Sequence, residues 1–300
     1  STMGFNIFFV AILKMGILGV LFANLAASSI VFILSLPIIM KRVSFSTIQP
    51  VTLKIVFKFA IPFLPAGIFT MIMELANRYL LYWMAGTQEV GLYSAGYKLG
   101  ILGLIVVMGF NMGWTPYFLK RGKEDGARED FSQAATLFLG LLGFVTVAVS
   151  LWVPEIMRFP IGSRTLIGEQ FWSAEKVVSC ILFSYFFYGT YVIQLPGIFM
   201  RELTNWVPIF RAIGAIVNIA LNIFLIPRYG VIGSAWATVF ACLFMSLSVF
   251  VRCHKIYPVP YNWFAWLYPV IFMVIVSITG DNVWIRLIIT FSYPAAWFLF

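Results

Sequence analysis

The feature that most limits what this chain can fold into is a succession of apolar runs, nearly all long enough to cross a lipid bilayer. A hydrocarbon core about 30 Å thick needs about 20 apolar residues at about 1.5 Å each. Such runs fall near residues 17–40, 59–84, 91–118, 131–153, 175–199, 206–227, 229–251, 263–279 and 284–300, and the last two are the weakest at 17 residues apiece. Hydrophobic residues make up 62% of the chain and charged residues 10%. A soluble domain carries about a quarter charged residues, so too few are present to cover a water-facing surface. A β-barrel would show alternating segments of about ten residues, and none occurs. The expectation is an all-α polytopic membrane protein with about nine full spans plus a partial one.

The partial span is residues 5–13. It ends at Lys14, is too short to cross, and leads through Gly16 into the first full run. Because the chain opens on Ser1, this piece reads as the tail of a helix whose start is missing, and the chain as a fragment. A signal peptide is the competing reading, but no basic segment or small-residue cleavage site precedes residue 17.

Net charge is +9. With residues 41–58 placed in the cytoplasm, the inner segments hold eleven cations: Lys41, Arg42, Lys54, Lys58, Lys120, Arg121, Lys123, Arg128, Arg201, Arg252 and Lys255. The outer turns hold Lys14, Arg158, Arg164 and Arg228, with Lys176 and Arg286 at outer helix ends. This is the positive-inside pattern, so the basic balance sets topology and implies no nucleic acid. Cys180, Cys242, Cys253 and His254 suit neither a disulfide framework nor a metal site.

Three connections exceed ten residues. Residues 41–58 carry four cations and are expected to lie against anionic headgroups as an amphipathic lead into the next span. The run at 120–130 reads as a solvated cytoplasmic turn. Residues 154–174 are expected outside as a short interfacial helix or re-entrant loop. None is long enough to fold as an enzymatic domain, so function belongs within the bilayer.

A charge at the bilayer centre costs about 2.5–3.5 kcal/mol on insertion scales, which makes intramembrane charges the best pointers to a site. Glu74 and Arg78 are four apart and share a helical face, where they are able to pair. Lys98 on the following span lies at a depth comparable to Arg78. Both cations either snorkel outward or form a cationic level inside the bundle. Glu74 is too deep to snorkel, and it either neutralises Arg78 or titrates as a coupling-ion site. Arg211, Asn218 and Asn222 project within about 40° of one another, beside Gly214 and Ala215. The two Asn residues serve either helix packing or a polar path. Pro62 and Pro65 open one span, Pro116 nearly closes another, and Gly189, Pro196 and Gly197 interrupt a third; such broken helices are common where transporters bend, and they also occur in static bundles.

The stretch IPFLPAGIFTMIMELANRYLLYWMAGTQEVGLYSAGYKLG (61–100) and the later IGAIVNIALNIFLIPRYGVIGSAWATV (213–239) carry a family likeness. They resemble the bacterial O-antigen and exopolysaccharide repeat-unit flippases of the multidrug/oligosaccharidyl-lipid/polysaccharide exporter superfamily. One departure is that Asn77 precedes Arg78 where the family has Asp. The resemblance implies two six-helix lobes in a fold of twelve to fourteen helices. Residues 1–58 would close the first lobe and connect to the second, 59–251 would form the second lobe, and 252–300 would add a C-terminal pair. It implies a multi-pass protein of the bacterial cytoplasmic membrane, used in polysaccharide biosynthesis (lipopolysaccharide O-antigen or exopolysaccharide). The cargo would be a polyprenyl-diphosphate-linked oligosaccharide, moved by alternating access. Arg78, Lys98, Arg211, Asn218 and Asn222 would line its path, with Glu74 for ion coupling. No cofactor is implied beyond a proton or sodium gradient. Partners would be the lipid-linked oligosaccharide, the bilayer, and polysaccharide polymerase and chain-length machinery. Two rivals stand: a multidrug cation antiporter of the same superfamily, for which Glu74 is the sole carboxylate well inside a span, and a membrane glycosyltransferase or polymerase, for which the 154–174 loop offers Glu155 and Glu169 without a metal pattern.

Overall fold

Inside hydrocarbon each backbone N–H and C=O must find its partner within the chain, which a helix does unaided. The structure is a computed structural model describing residues 2–42, 50–162, 164–279 and 282–297. It places helix at every one of the expected spans, and among the described residues five stretches satisfy length and apolarity for crossing in full. The chain divides into two compact units, Ser1–Lys58 and Phe59–Phe300.

In the first unit, α1 (Thr2–Asn6) continues as a π-helical turn over Ile7–Ile12 and breaks at Lys14, whose φ is 50°. Helix α2 (Gly16–Arg42) follows. A Cβ on Gly19 would lie 2.9 Å from the Phe9 carbonyl oxygen, so glycine there lets α2 fold back onto the turn. Helix α3 (Pro50–Ala60) begins on a proline, which has no N–H to leave unpaired in a first turn. Residues 43–49 of the expected amphipathic connection lie outside the described residues.

The second unit contains α4 (Phe63–Ala85), α5 (Thr87–Arg121), α6 (Ala127–Met157), α7 (Glu175–Gln194), α8 (Pro196–Met200), α9 (Trp206–Ile256), α10 (Trp263–Ile278) and α11 (Val283–Trp297). The last two are the shortest of the spanning candidates here, and residues 298–300 of the final expected span lie outside the described residues. Residues 252–300 belong to this same compact unit.

Helix α9 is two arms. Gly230, at φ 53° and ψ −133°, interrupts it. Asn222 and Thr238 both reach Asn77, although sixteen residues of straight helix would hold them about 24 Å apart. The arms, 206–229 and 231–256, are therefore antiparallel neighbours, as the two separate spans expected there require. Glu89, in the first turn of α5, fixes this turn: its Oε2 accepts from the Val231 N–H at 2.7 Å. The two stretches that carry the family likeness are thus joined by a carboxylate capping a helix start, where negative charge is favoured. Replacing Glu89 by Ala orphans that N–H and should cost about 1–2 kcal/mol, seen as a lower unfolding midpoint of the purified protein. Glu89→Gln retains an acceptor and should recover most of it; an unchanged midpoint in the Ala variant would contradict the role.

Glycines bring α5 and α7 together. The Gly96 and Gly100 positions back onto Val177 and Ile181, where any Cβ would stand 2.7 Å and 2.5 Å from the nearest side-chain atom. Such four-residue spacing of small residues is how membrane helices approach closely. Tyr293 and Trp297 of α11 similarly fill the space over Gly143 and Gly140 of α6.

The 154–174 connection differs in part from its expectation. Helix α6 runs on to Met157, and then a hairpin pairs β1 (Pro160–Ile161) with β2 (Arg164–Thr165) before a 3₁₀ turn over Glu169–Ala174. The hairpin went unforeseen because two-residue strands carry no periodicity to read. Its base is fastened by Arg158 stacking over Trp172, whose Nε1 donates to the Ile167 carbonyl at 3.0 Å.

Candidate functional site

Thr70, Met73, Glu74 and Asn77 recur at helical spacing and form one face of α4, turned towards α9, α5 and α7. At its centre is Asn77, 2% exposed. Its Nδ2 donates to the Tyr93 hydroxyl at 2.8 Å and to Thr238 Oγ1 at 3.0 Å, while its Oδ1 accepts from Asn222 Nδ2 at 2.8 Å. Asn222 also donates to the Asn218 carbonyl and side-chain oxygens. Three helices, one of them through both arms, are therefore tied by neutral amides and hydroxyls in a setting where unpaired polar groups are costly. Asn77→Leu removes one acceptor and two donors at once. At about 1–3 kcal/mol for each buried group left unpaired, we expect the folded fraction in detergent to collapse. A yield and gel-filtration profile equal to wild type would show that the network carries no stability.

One level away stands Arg211. Its Nη1 donates to Thr70 Oγ1 at 2.7 Å and its Nη2 to the Tyr188 hydroxyl at 3.3 Å, with the guanidinium over the rings of Tyr188 and Tyr191. Its Nε has no hydrogen-bond partner among the described residues. Aromatic faces and hydroxyls replace part of the hydration that the cation loses. Two cavities meet here. One, of about 110 Å³, is lined by Glu74, Asn77, Tyr97, Tyr185 and Thr238 among others; the second, of about 320 Å³, is lined by Asn111, Thr115, Phe118 and Phe199 among others. Thr70 and Arg211 line both, so the hydrogen bond between them borders each cavity.

The residues singled out from sequence separate into two groups. Arg211, Asn218 and Asn222 share one side of α9, and Glu74 and Arg211 line one cavity. The pairing expected of Glu74 with Arg78 does not form: no ion pair joins them among the described residues. Arg78 instead places its guanidinium 5.2 Å from the centroid of the Tyr97 ring, because α5 brings that ring beside α4 and competes with the intrahelical carboxylate. Lys98 is exposed and lies outside both cavity linings, one residue and hence about 100° from cavity-lining Tyr97. Arg78 and Lys98 do not form the single cationic level considered above.

Thr70, Tyr93, Tyr97, Tyr188 and Thr238 were not singled out from sequence. Tyr93 and Tyr97, and Thr70, Glu74 and Asn77, carry the signal of helical spacing, yet hydroxyls are common in membrane helices and their partners are remote in the chain. The Tyr97 hydroxyl accepts from the Tyr185 hydroxyl at 2.9 Å, a pairing that no local pattern announces.

Comparison with known proteins bears on this arrangement. Residues 2–121 match a family described as polysaccharide biosynthesis protein; the stretch 61–100 falls within that match and 213–239 beyond it. No curated protein matches the sequence. Among solved structures, lipid II flippase MurJ in an inward closed conformation is similar at 18% identity and a TM-score of 0.68, covering 99% of this chain and 65% of that one. The chain thus spans about two thirds of that flippase's length. The family match over residues 2–121 agrees with the resemblance to polysaccharide biosynthesis proteins read from sequence, and this chain is a multi-pass membrane protein with the all-helical fold seen in that structure.

Proposed function

We propose that the protein carrying this chain is a flippase, not an enzyme, that moves a polyprenyl-diphosphate-linked oligosaccharide repeat unit across the bacterial cytoplasmic membrane for O-antigen or exopolysaccharide synthesis. The observation that carries this reading is Arg211, a cation with an unspent Nε donor at the junction of two cavities. A glycan and a diphosphate cannot enter hydrocarbon unaided, whereas the prenyl tail stays in lipid. The carrier has to offer hydroxyls and amides to the sugar and a cation to the phosphates, and Arg engages phosphate oxygens through two parallel donors. A cavity of about 110 Å³ is too small for an oligosaccharide. The state described is closed around its polar centre, and parting of Arg211 from Thr70 would merge the two cavities. Lobes rocking between inward-open and outward-open states would accomplish this, coupled to a proton or sodium gradient, with Glu74 the carboxylate placed to sense it. The match of residues 2–121 to polysaccharide biosynthesis proteins and the flippase fold support this reading. Polysaccharide polymerase and chain-length machinery are the proposed partners.

The antiporter reading rests on Glu74, which lines the first cavity beside Arg211. Binding separates the two. We expect the purified protein to bind the diphosphate-linked glycan more tightly than an uncharged analogue with the same sugar, at fixed salt. The difference should shrink in Arg211→Gln and Arg78→Gln and persist in Lys41→Gln. Competition by tetraphenylphosphonium that is lost in Glu74→Gln would favour the antiporter.

A further inference from the structure

A separate cavity of about 530 Å³ lies where the ends of α6, α7, α10 and α11 assigned to the outside meet the start of the second arm of α9. It shares no lining residue with the two cavities around Arg211. Its volume is in the range of small-molecule sites, about 300–1,000 Å³.

The lining is graded along the helices. Lys176 and Ser179 occupy the first turns of α7, and Phe183 lies about 10 Å deeper by helical rise from Lys176, with Trp236 on α9 beside the same cavity. Ser150, seven residues before the end of α6, is 8% exposed and lines the cavity, and its Oγ has no hydrogen-bond partner among the described residues. A buried hydroxyl left unpaired is unfavourable, so this position calls for an acceptor from outside the described chain. Among the described residues, the charged side chains that line it are Lys176 and Arg286 against Glu175. Arg286 is held by Glu155 at 2.8 Å, and Arg158 lies 4.0 Å from Glu175. Lys176 forms no ion pair among the described residues.

A cation and the Ser179 hydroxyl at the rim, with the Ser150 hydroxyl and two aromatic rings on turns below, is an arrangement that meets the phosphodiester of a phospholipid first and its ester carbonyls and first methylenes beneath. We infer that this cavity binds a membrane phospholipid. Its single negative charge balances Lys176, Ser179 donates to the phosphate, Ser150 donates to an ester carbonyl, and the first methylenes lie over Phe183 and Trp236. This site is independent of the transport reading, and its test leaves that reading untouched.

Fluorescence quenching by phosphatidylglycerol brominated on its acyl chains tests it, in delipidated purified protein, with Trp236→Phe isolating the contribution of Trp236. The expected result is quenching of Trp236 that saturates, with a midpoint raised about fivefold in Lys176→Gln and in Ser150→Ala and unmoved in Lys123→Gln. Both weakening substitutions are mild enough to leave the fold intact, which gel filtration checks. Non-saturating quenching, equal in all variants, would overturn the inference. So would displacement of the lipid by inorganic phosphate or glycerol 3-phosphate alone, because the site would then recognise phosphate without its lipid.

Discussion

Arg211→Gln is expected to lower transport of the diphosphate-linked lipid by about 100-fold, since each lost charge-assisted hydrogen bond is worth about 1.5–3 kcal/mol. Membrane abundance should change little. Thr70 keeps its own bond, its hydroxyl donating to the Ala66 carbonyl at 2.9 Å, and no carboxylate loses a partner, because Arg211 forms no ion pair among the described residues. What disappears is the cation where two cavities adjoin. Arg211→Lys keeps the charge and loses the planar fork, so an intermediate rate is expected. Vesicle-based flipping assays beside quantified membrane protein read both quantities. A parallel loss of abundance and activity would make Arg211 a packing residue, and full activity in Arg211→Gln would remove it from the cargo path.

Gly100→Ile should have the largest effect on folding. A Cβ at this position falls 2.5 Å from Ile181 Cγ2 and 2.6 Å from its Cβ, and neither atom is the free end of a flexible chain. Overpacking in a filled interior costs about 1–3 kcal/mol and at times more. Here α5 and α7 would have to part, dismantling the Tyr97–Tyr185 bond as well. Folded yield should fall by about tenfold, measured by size exclusion of a fluorescent fusion. Gly109→Ile on the same helix is the control, because nothing lies within 4 Å of its Cβ position. Equal yields for the two variants would show that α5 and α7 do not depend on close approach.

The spans were legible because hydrocarbon admits so few structures: length and apolarity alone placed helix at each of them. The turn between the arms of α9 was legible as the boundary between the runs 206–227 and 229–251. Its fastening by Glu89 was not, since that bond joins residues 142 positions apart. The stripe of Arg211, Asn218 and Asn222 was readable because all three belong to one helix. Asn77 was noticed as a departure from the family's Asp, yet its partners lie on other helices. The Glu74–Arg78 pairing failed for the converse reason: helical spacing states what two side chains are able to reach, and the ring of Tyr97 decided what Arg78 does reach.

The most direct measurement is flipping itself. The protein carrying this chain, reconstituted in vesicles, is supplied in separate runs with a fluorescent polyprenyl-diphosphate oligosaccharide and with tetraphenylphosphonium at the same salt. The diphosphate lipid is expected to reach the far leaflet, Arg211→Gln to stop it, and the cation to stay where it is. Transport of the cation with the diphosphate lipid left in place would contradict this, and the likeness to flippases would then report fold rather than cargo.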